Sequence, residues 1–598
     1  MTGSALQPAE RAFLGVERSF GGRRWHQRHG DDREGLAIAQ RFGVPELVGR
    51  LLAARHVTID GAAAFLNPTL RELLPDPSRF RDMDRAVERL VEAIGRNEKI
   101  AVFGDYDVDG ATSAALLHRF FAAIGIAVRL YIPDRLTEGY GPNAPALLRL
   151  REEGVAVVIT VDCGTLAFSA LAAAEAAGLA VIVLDHHVAE PQLPAAAAVV
   201  NPNRLDETAG HGQLAAVGVT FLLAVGLNRA LRARGWYAGG RAEPDLRQWL
   251  DLVALGTVCD VVPLSALNRA LVGQGLKIMA RRRNVGLAAL ADVAGVKEPP
   301  GAYHVGFVLG PRINAGGRIG AADLGVRLLT TDDPTEAAAL AGRLDTLNAE
   351  RRVLEQGVLE AAIAQVEGQR TPDRALVFAR GEGWHPGVIG IVAARLKERY
   401  GRPACVVATA NGIGKGSGRS VNGLDLGSAV IAALQAGLLI NGGGHRMAAG
   451  FTVASERVAD LAAFLEERLA VVAGGAIVPQ LEIDGAITGA AATPELAQVV
   501  GRMAPFGSGN PEPRFAVTDL RVVRGEVVGE GHVRLLLAGN DGARLKAIVF
   551  RAADGALGQA LLGGSGAPLH LAGNLRVDSW QDREGVQLIV DDGAPAQL

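Results

Sequence analysis

From Lys99 onward the chain alternates between two hydrophobic rhythms. KIAVFGD is a short, nearly all-apolar run that predicts a strand, and ATSAALLHRFFAAIG has the spacing of an amphipathic helix. AVRLYIPD predicts a second strand and NAPALLRLREEG a helix. VAVVITVD, LAFSALAAAEAAG and LAVIVLD repeat the alternation, and AAVVNPN adds one more strand. Near-continuous apolar strands separated by helices predict a parallel sheet covered on both faces. Apolar helical patterns over 213–233 and 245–257 extend the same domain.

Outside this stretch the rhythm differs. Residues 1–95 are mostly helical in pattern, with turns at NPTL (67–70) and LPDP (74–77). Residues 333–368 form one long, charge-dense helical pattern with no internal proline, which predicts a connecting helix. A second α/β pattern follows in RALVFAR, GVIGIVAARLKERYG and PACVVAT, ending in the glycine-rich INGGGH. The last hundred or so residues carry short strands (LRVVRGEVVG, HVRLLLAG, ARLKAIVFR, PLHLAGNLRVDSW, VQLIVDD) between Gly- and Asp-rich turns, the signature of a small β-barrel. The fold class expected is α/β: a parallel-sheet domain (96–332) joined by a long helix (333–368) to a smaller α/β domain (369–475). A C-terminal OB-like barrel (476–598) follows, and a helical N-terminal region (1–95) is expected to pack on the first domain.

Composition narrows the class without choosing a function. The chain has 598 residues, 49% hydrophobic and 21% charged, with a net charge of −3. That length implies roughly three to five domains. No apolar run approaches the roughly 20 residues that span a bilayer. MTGSALQPAERAFLGVERS carries Glu and Arg where a signal peptide holds its apolar stretch, so the expectation is a cytoplasmic protein with no membrane partner. Cys163, Cys259 and Cys405 are isolated, which supports neither a zinc site nor a disulfide framework. A slightly acidic balance does not suggest a strongly basic nucleic-acid binder, but acidic residues gathered at a metal site would mask basic ones elsewhere.

GDYDVDG (104–110) crowds three aspartates into seven residues, and like charges at that spacing call for a cation. It opens like a calcium loop, but Leu116 stands where the bidentate glutamate belongs, and a strand rather than a helix precedes it. In open parallel sheets, ligands bind at the carboxyl ends of the strands. The first strand ends in GDYDVDG, the third in Asp162 (TVDCG), the fourth in Asp185, His186 and His187 (LDHH), and Asp260 follows the helix at 245–257. Oxygen-rich donors with one histidine and no thiolate suit Mg2+ or Mn2+. A lone aspartate after a strand often caps a helix instead, and Asp109, just before Gly110, is expected to do so. Asp185 is expected to orient a ligand by accepting the ring N–H of His186.

GDYDVDG, TVDCG, LDHH and GTVCDVVPL, in this order, resemble the four motifs of the DHH phosphoesterase superfamily. The resemblance covers about residues 98 to 265 and implies a two-ion site for Mg2+ or Mn2+. Asp105 and Asp162 would hold one ion, and Asp107, Asp162, His186 and Asp260 the other, with Asp162 bridging; His187 would contact the scissile phosphate. Many members carry a histidine two residues before the first aspartate, where this chain has Phe103.

GPRINAGGRIG (310–320) places Arg312, Asn314 and Arg318 in what reads as a glycine-rich loop suited to phosphate contacts. GWHPGVIG (383–390), GKGSGRS (414–420) and GGGHRMAAG (442–450) resemble the DHHA1 substrate-binding domain. There Arg419 and His445 would touch phosphates, with Lys415 and Ser417 nearby. FGSGNPEPRF (506–515) leads into the barrel, whose candidate base-stacking aromatics are Phe550 and Trp580. Together these segments resemble the members of the superfamily that degrade single-stranded DNA from the 5′ end to 5′-mononucleotides in recombination and repair. The resemblance implies a monomer acting on single-stranded DNA, with a single-strand-binding protein and a helicase as partners. The alternatives are a phosphodiesterase of short oligoribonucleotides or cyclic dinucleotides, usually far shorter, and an inactive nucleic-acid scaffold, which would have lost ligands that are all present here.

Overall fold

The apolar runs after Lys99 become five strands in the computed structural model, which describes residues 11–135, 137–368, 374–473, 479–564, 566–578 and 585–596. They are β1 (Lys99–Gly104), β2 (Val128–Tyr131), β3 (Val155–Val161), β4 (Ala180–Leu184) and β5 (Ala198–Val200). All pair in parallel, in the order β2-β1-β3-β4-β5. The central strands are apolar on both faces because both faces are covered. One side packs on α1 (Val108–Ala123), α2 (Ala216–Ala233) and α3 (Leu250–Cys259) through buried Phe120, Phe121, Leu222 and Leu252; the other packs on helices carrying Leu147 and Leu171. Alone among the described helices, α2 is long and apolar enough to cross a membrane, yet 72% of it is buried inside the protein.

The chain divides into two units. The larger holds Pro68–Val472 and Pro505–Asn510. Within it, α4 (Gly310–Ile319) precedes the 35-residue α5 (Pro334–Gly368), roughly 50 Å long at 1.5 Å per residue. Ion pairs tie α5 to the domain that follows: the buried carboxylate of Glu355 is shared by Arg351 of the same helix and by half-exposed Arg395 of helix Ile389–Tyr400. That domain holds a five-stranded sheet ordered Asn441–His445, Ala448–Ala454, Ile413–Arg419, Ala404–Ala410 and Val377–Glu382, antiparallel except for the last pair.

The smaller unit holds Met1–Asn67, Ala473–Ala504 and Pro511–Leu598. Strand Phe515–Val528 pairs with both His532–Gly539 and Leu569–Asp578, and the circuit closes through Arg544–Val549 and Gly585–Pro595. A closed five-strand circuit removes the free edges, as in an OB barrel. The N-terminal region expected as one block over 1–95 is therefore divided at Asn67. Its first part joins the barrel unit because strand Arg24–Gln27 pairs with Gln480–Ile483, and fully buried Trp25 donates its indole N–H to Asp592 at 3.2 Å. A four-residue strand whose partner lies more than 450 positions away leaves no periodic trace in sequence.

Candidate metal and phosphate site

The sheet ladder runs one residue past each strand. Asp105 N–H donates to the Val161 carbonyl at 3.3 Å, Asp162 N–H to Leu184 at 3.0 Å, and Asp185 N–H to Val200 at 3.1 Å. These bonds put three aspartates in register at the carboxyl edge. Asp162 takes a left-handed backbone (φ +61), a strained conformation of the kind found at functional sites. GDYDVDG closes on glycine for a spatial reason: a Cβ on Gly110 would stand 2.4 Å from the Asp105 carbonyl oxygen. Ligand atoms of Asp105, Asp107 and Asp162 lie within 4.8 Å of one another.

Asp260 enters from the C-terminal end of α3. His186 Nε2 lies 3.3 Å from Asp162 Oδ1, 3.6 Å from Asp260 Oδ2 and 3.9 Å from Asp109 Oδ2. The turn bearing the two histidines is held by amides: Asn203 donates to the His186 carbonyl and Asn201 to the His187 carbonyl. Tyr140 donates its hydroxyl to the Asp162 carbonyl at 3.1 Å and sets its ring edge-on to His187.

Two expected supporting roles are corrected. Asp185 does not take the ring of His186; its Oδ1 lies 2.7 Å from Nδ1 of His187, and it also accepts the backbone N–H groups of His186, His187 and Thr165. The tight turn folds the second imidazole, not the first, back over the carboxylate. Nor does Asp109 cap the helix that it begins. Asp107 caps α1, accepting the N–H of Asp109 and Gly110, while Asp109 accepts Ala216 and Val217 N–H at 2.7 and 2.9 Å and so caps α2.

The electrostatics fit divalent cations. Burial, reinforced by neighbouring carboxylates, Asp107 foremost, pushes Asp105 and Asp162 well above the usual carboxylate range. Asp260 is raised to about 9 by burial and by Asp109 and Asp107. Burial, and then the charge of His187, lowers His186 to about 4, which leaves a neutral imidazole able to donate its lone pair. Burial opposes charge on Asp185 too, but the His187 ring and the Thr165 N–H outweigh it and hold this carboxyl below its ordinary value. Asp105 Oδ1, Asp162 Oδ1, His186 Nε2 and Asp260 Oδ2 are buried with no hydrogen-bond partner among the described residues. Orphaned donor atoms of this hard, oxygen-rich kind match Mg2+ or Mn2+. Phe103 is fully buried, its ring stacked on Tyr131 at 5.1 Å, so the position two residues before the first aspartate belongs to the core.

Facing this edge is a cleft of about 870 Å3 lined by Tyr106, Arg135, Arg318, Lys415, Ser417 and Arg419. The Arg135 guanidinium sits 4.8 Å above the Tyr106 ring, Arg419 donates to Ser417 Oγ at 3.1 Å, and Arg318 donates to the Gly387 carbonyl at 3.1 Å. GPRINAGGRIG is not a loop but helix α4, and its glycines serve packing: a Cβ on Gly317 would meet Tyr106 at 2.7 Å. Arg312 is engaged by Asp345 of α5 at 2.8 Å and by the Val308 carbonyl; Asn314 is half-buried on the same helix. The glycine runs at 414–419 and 441–445 are strands, Gly416 making room for the ring of Phe451. His445 is exposed at the end of its strand, outside the cleft lining. Phe550 is exposed on the barrel, and Trp580 lies outside the described residues. Sequence reasoning missed Tyr106, Arg135 and Tyr140. The signal was available, since IPDRLTEGYG follows the second strand and the strand-end rule applies there equally.

Comparison with known proteins follows the same divisions. Residues 99–257 match the DHH family N-terminal domain, 373–471 the DHHA1 domain and 483–592 the RecJ OB domain. The single-stranded-DNA-specific exonuclease RecJ of Bacillus subtilis (strain 168) is 35% identical over 586 residues, 96% of this chain and 71% of that protein. RecJ of Escherichia coli (strain K12) is 35% identical over 567 residues, 92% of this chain and 96% of that protein. The crystal structure of RecJ from Thermus thermophilus in complex with Mn2+ superposes with a TM-score of 0.78 at 30% identity, covering 95% of this chain and 78% of that one. Its Mg2+ complex gives 0.73 at 29% identity over 95% and 77%.

Proposed function

Because this chain belongs to the RecJ family of single-stranded-DNA-specific exonucleases, we propose that its carboxylate cluster hydrolyses the terminal phosphodiester of a single strand fed through the arginine-lined cleft. The chain is a nuclease that uses divalent cations, Mg2+ or Mn2+, on single-stranded DNA. The observation that carries the site assignment is the set of four buried donor atoms, from Asp105, Asp162, His186 and Asp260, left without hydrogen-bond partners among the described residues.

In this reading Asp105 and Asp162 would hold one ion, and Asp107, Asp162, His186 and Asp260 the other. When bound, such ions supply positive charge against the scissile phosphate and make a nearby water acidic. The protein's own groups do the positioning. Asp185 fixes the His187 ring and raises its basicity, so His187 presents a donor toward the substrate phosphate. Arg135, Arg318 and Arg419 grip phosphates along the cleft, and the confined lobes favour a flexible strand over a stiff duplex. Cleavage from the 5′ end to 5′-mononucleotides is the polarity proposed from the family resemblance.

The test offers 5′- and 3′-labelled single strands, duplexes and dinucleotides with Mg2+, Mn2+ or EDTA. Metal-dependent release of mononucleotides from the 5′ end of single strands is expected. Preference for dinucleotides over long strands would move the assignment to a small-molecule phosphodiesterase.

A further inference from the structure

Among the described residues only four Phe, Tyr or Trp side chains are strongly exposed: Tyr140 at the metal edge, Phe550 on the barrel, and Tyr303 and Phe307. Tyr303 and Phe307 are 58% and 69% exposed, stand one helical turn apart and stack with ring centroids 5.4 Å apart and planes at 27°. His304, paired with Glu298 at 3.1 Å, packs edge-on to Tyr303 at 5.8 Å and steadies it. Two large rings stacked face against face in solvent are a costly arrangement unless something covers them.

Their location says what. The turn His304–Leu309 runs directly into α4, and its underside rests on the last turn of α3, where Cys259 Sγ lies 3.5 Å from the Val305 carbonyl. The next residue of that turn is Asp260. At the far end of α4, Gly317 packs on Tyr106 and Arg318 lines the arginine cleft. Phe307 and Arg318 are eleven residues apart, roughly 16 Å along a helix. One continuous helical rod therefore carries an aromatic pair at one end and a phosphate-gripping arginine at the other, with the loop of a metal ligand packed against it.

We propose that Tyr303 and Phe307 form a stacking platform for nucleobases of the single strand, several nucleotides away from the one being cleaved. This rests on the single-strand reading above. Every base offers a π-face, so such a platform binds without sequence preference. In a duplex both faces of each base are covered by neighbours, so the platform takes unpaired strands.

The test uses the full chain with the metal chelated, and a 20-nucleotide strand carrying one abasic site or one 2-aminopurine moved stepwise from the 5′ end. In the parent chain, abasic sites at one or two interior positions are expected to weaken binding about tenfold, and 2-aminopurine there to be quenched on binding. In the Tyr303→Ala/Phe307→Ala chain the intact strand binds about tenfold more weakly, the abasic penalty at those positions disappears, and the quenching is lost. Phe307→Trp retains all three. Equal abasic penalties in parent and double variant, or unaltered quenching, overturn the proposal. If the parent degrades no strand when Mn2+ is restored, it is the single-strand reading that fails instead.

Discussion

His186 Nε2 and Asp162 Oδ1 face each other at 3.3 Å, both buried, and neither has a hydrogen-bond partner among the described residues. Two lone-pair donors in that relation repel unless a proton or a cation lies between them. The pair sits where the third and fourth strands of the sheet end.

Asp162→Asn should therefore separate stability from activity. Removing one charge from the crowded cluster should raise the melting temperature in EDTA, while the stabilisation that Mn2+ gives the parent should largely vanish. Cleavage should fall by more than the roughly 10–100-fold typical of residues that only support a metal ligand. Paired melts with and without Mn2+, together with single-strand digestion, check this; full turnover would refute the assignment.

Asp185→Asn probes the imidazole that the structure moved from one histidine to the next. With the Asp185 carboxylate gone, His187 loses its orienting partner at 2.7 Å. Cleavage should fall on the order of 10–100-fold, with Mn2+ affinity by calorimetry changed far less. A large loss of metal affinity instead would mean that Asp185 serves the ions directly.

Arg419→Ala should weaken strand binding and lower the slope of log affinity against log salt by about one, the mark of a lost phosphate contact. Titrations at several salt concentrations measure it. An unchanged slope would place Arg419 outside the phosphate path.

Gly110→Ala tests the close approach at the heart of GDYDVDG. The new methyl would stand 2.4 Å from the Asp105 carbonyl oxygen, so the turn must shift. A loss of about 1–3 kcal/mol in stability is expected, with weaker metal binding because Asp105 moves. Denaturant melts and Mn2+ titration report the two effects separately.

Asp251, near the start of α3 and far along the helix from Asp260, gives a pH prediction. Burial raises its carboxyl to about 6 from an ordinary 3.8, against the opposing pull of the Leu252 N–H and the charge of Arg119. A folded value above the unfolded one means a contribution that is complete below pH 3.8 and is lost as pH rises through 6. Asp251→Asn cannot ionise, so its stability advantage over the parent should grow between pH 4 and pH 7 and then level off, at no more than about 3 kcal/mol. Melts across that range decide; an advantage that shrinks with rising pH would overturn it.

Much of the fold was legible because its signals are local. A run such as VAVVITVD announces both a buried strand and, by its last residue, what stands at that strand's carboxyl end. The connecting helix 333–368 and the barrel strands were equally plain, since each depends on a repeat within a few residues. GPRINAGGRIG misled for the opposite reason. Its glycines look like a loop in sequence, but each is small because another side chain presses close: Cys259 on Gly310, Leu344 on Gly316, Tyr106 on Gly317 and Leu347 on Gly320.

The sequence alone determined the parallel sheet and the carboxylates and imidazoles at its strand ends, the basis of the proposed metal site, because strand period and strand end are read within ten residues. Only the tertiary structure decided that Asp185 grips His187, that Asp109 caps a helix more than a hundred residues onward, that residues up to Asn67 join the barrel, and that Tyr106 and Arg135 line the cleft. Those outcomes depend on which side chains meet across segments far apart in the chain, and close approach between distant segments leaves no periodic mark on either one.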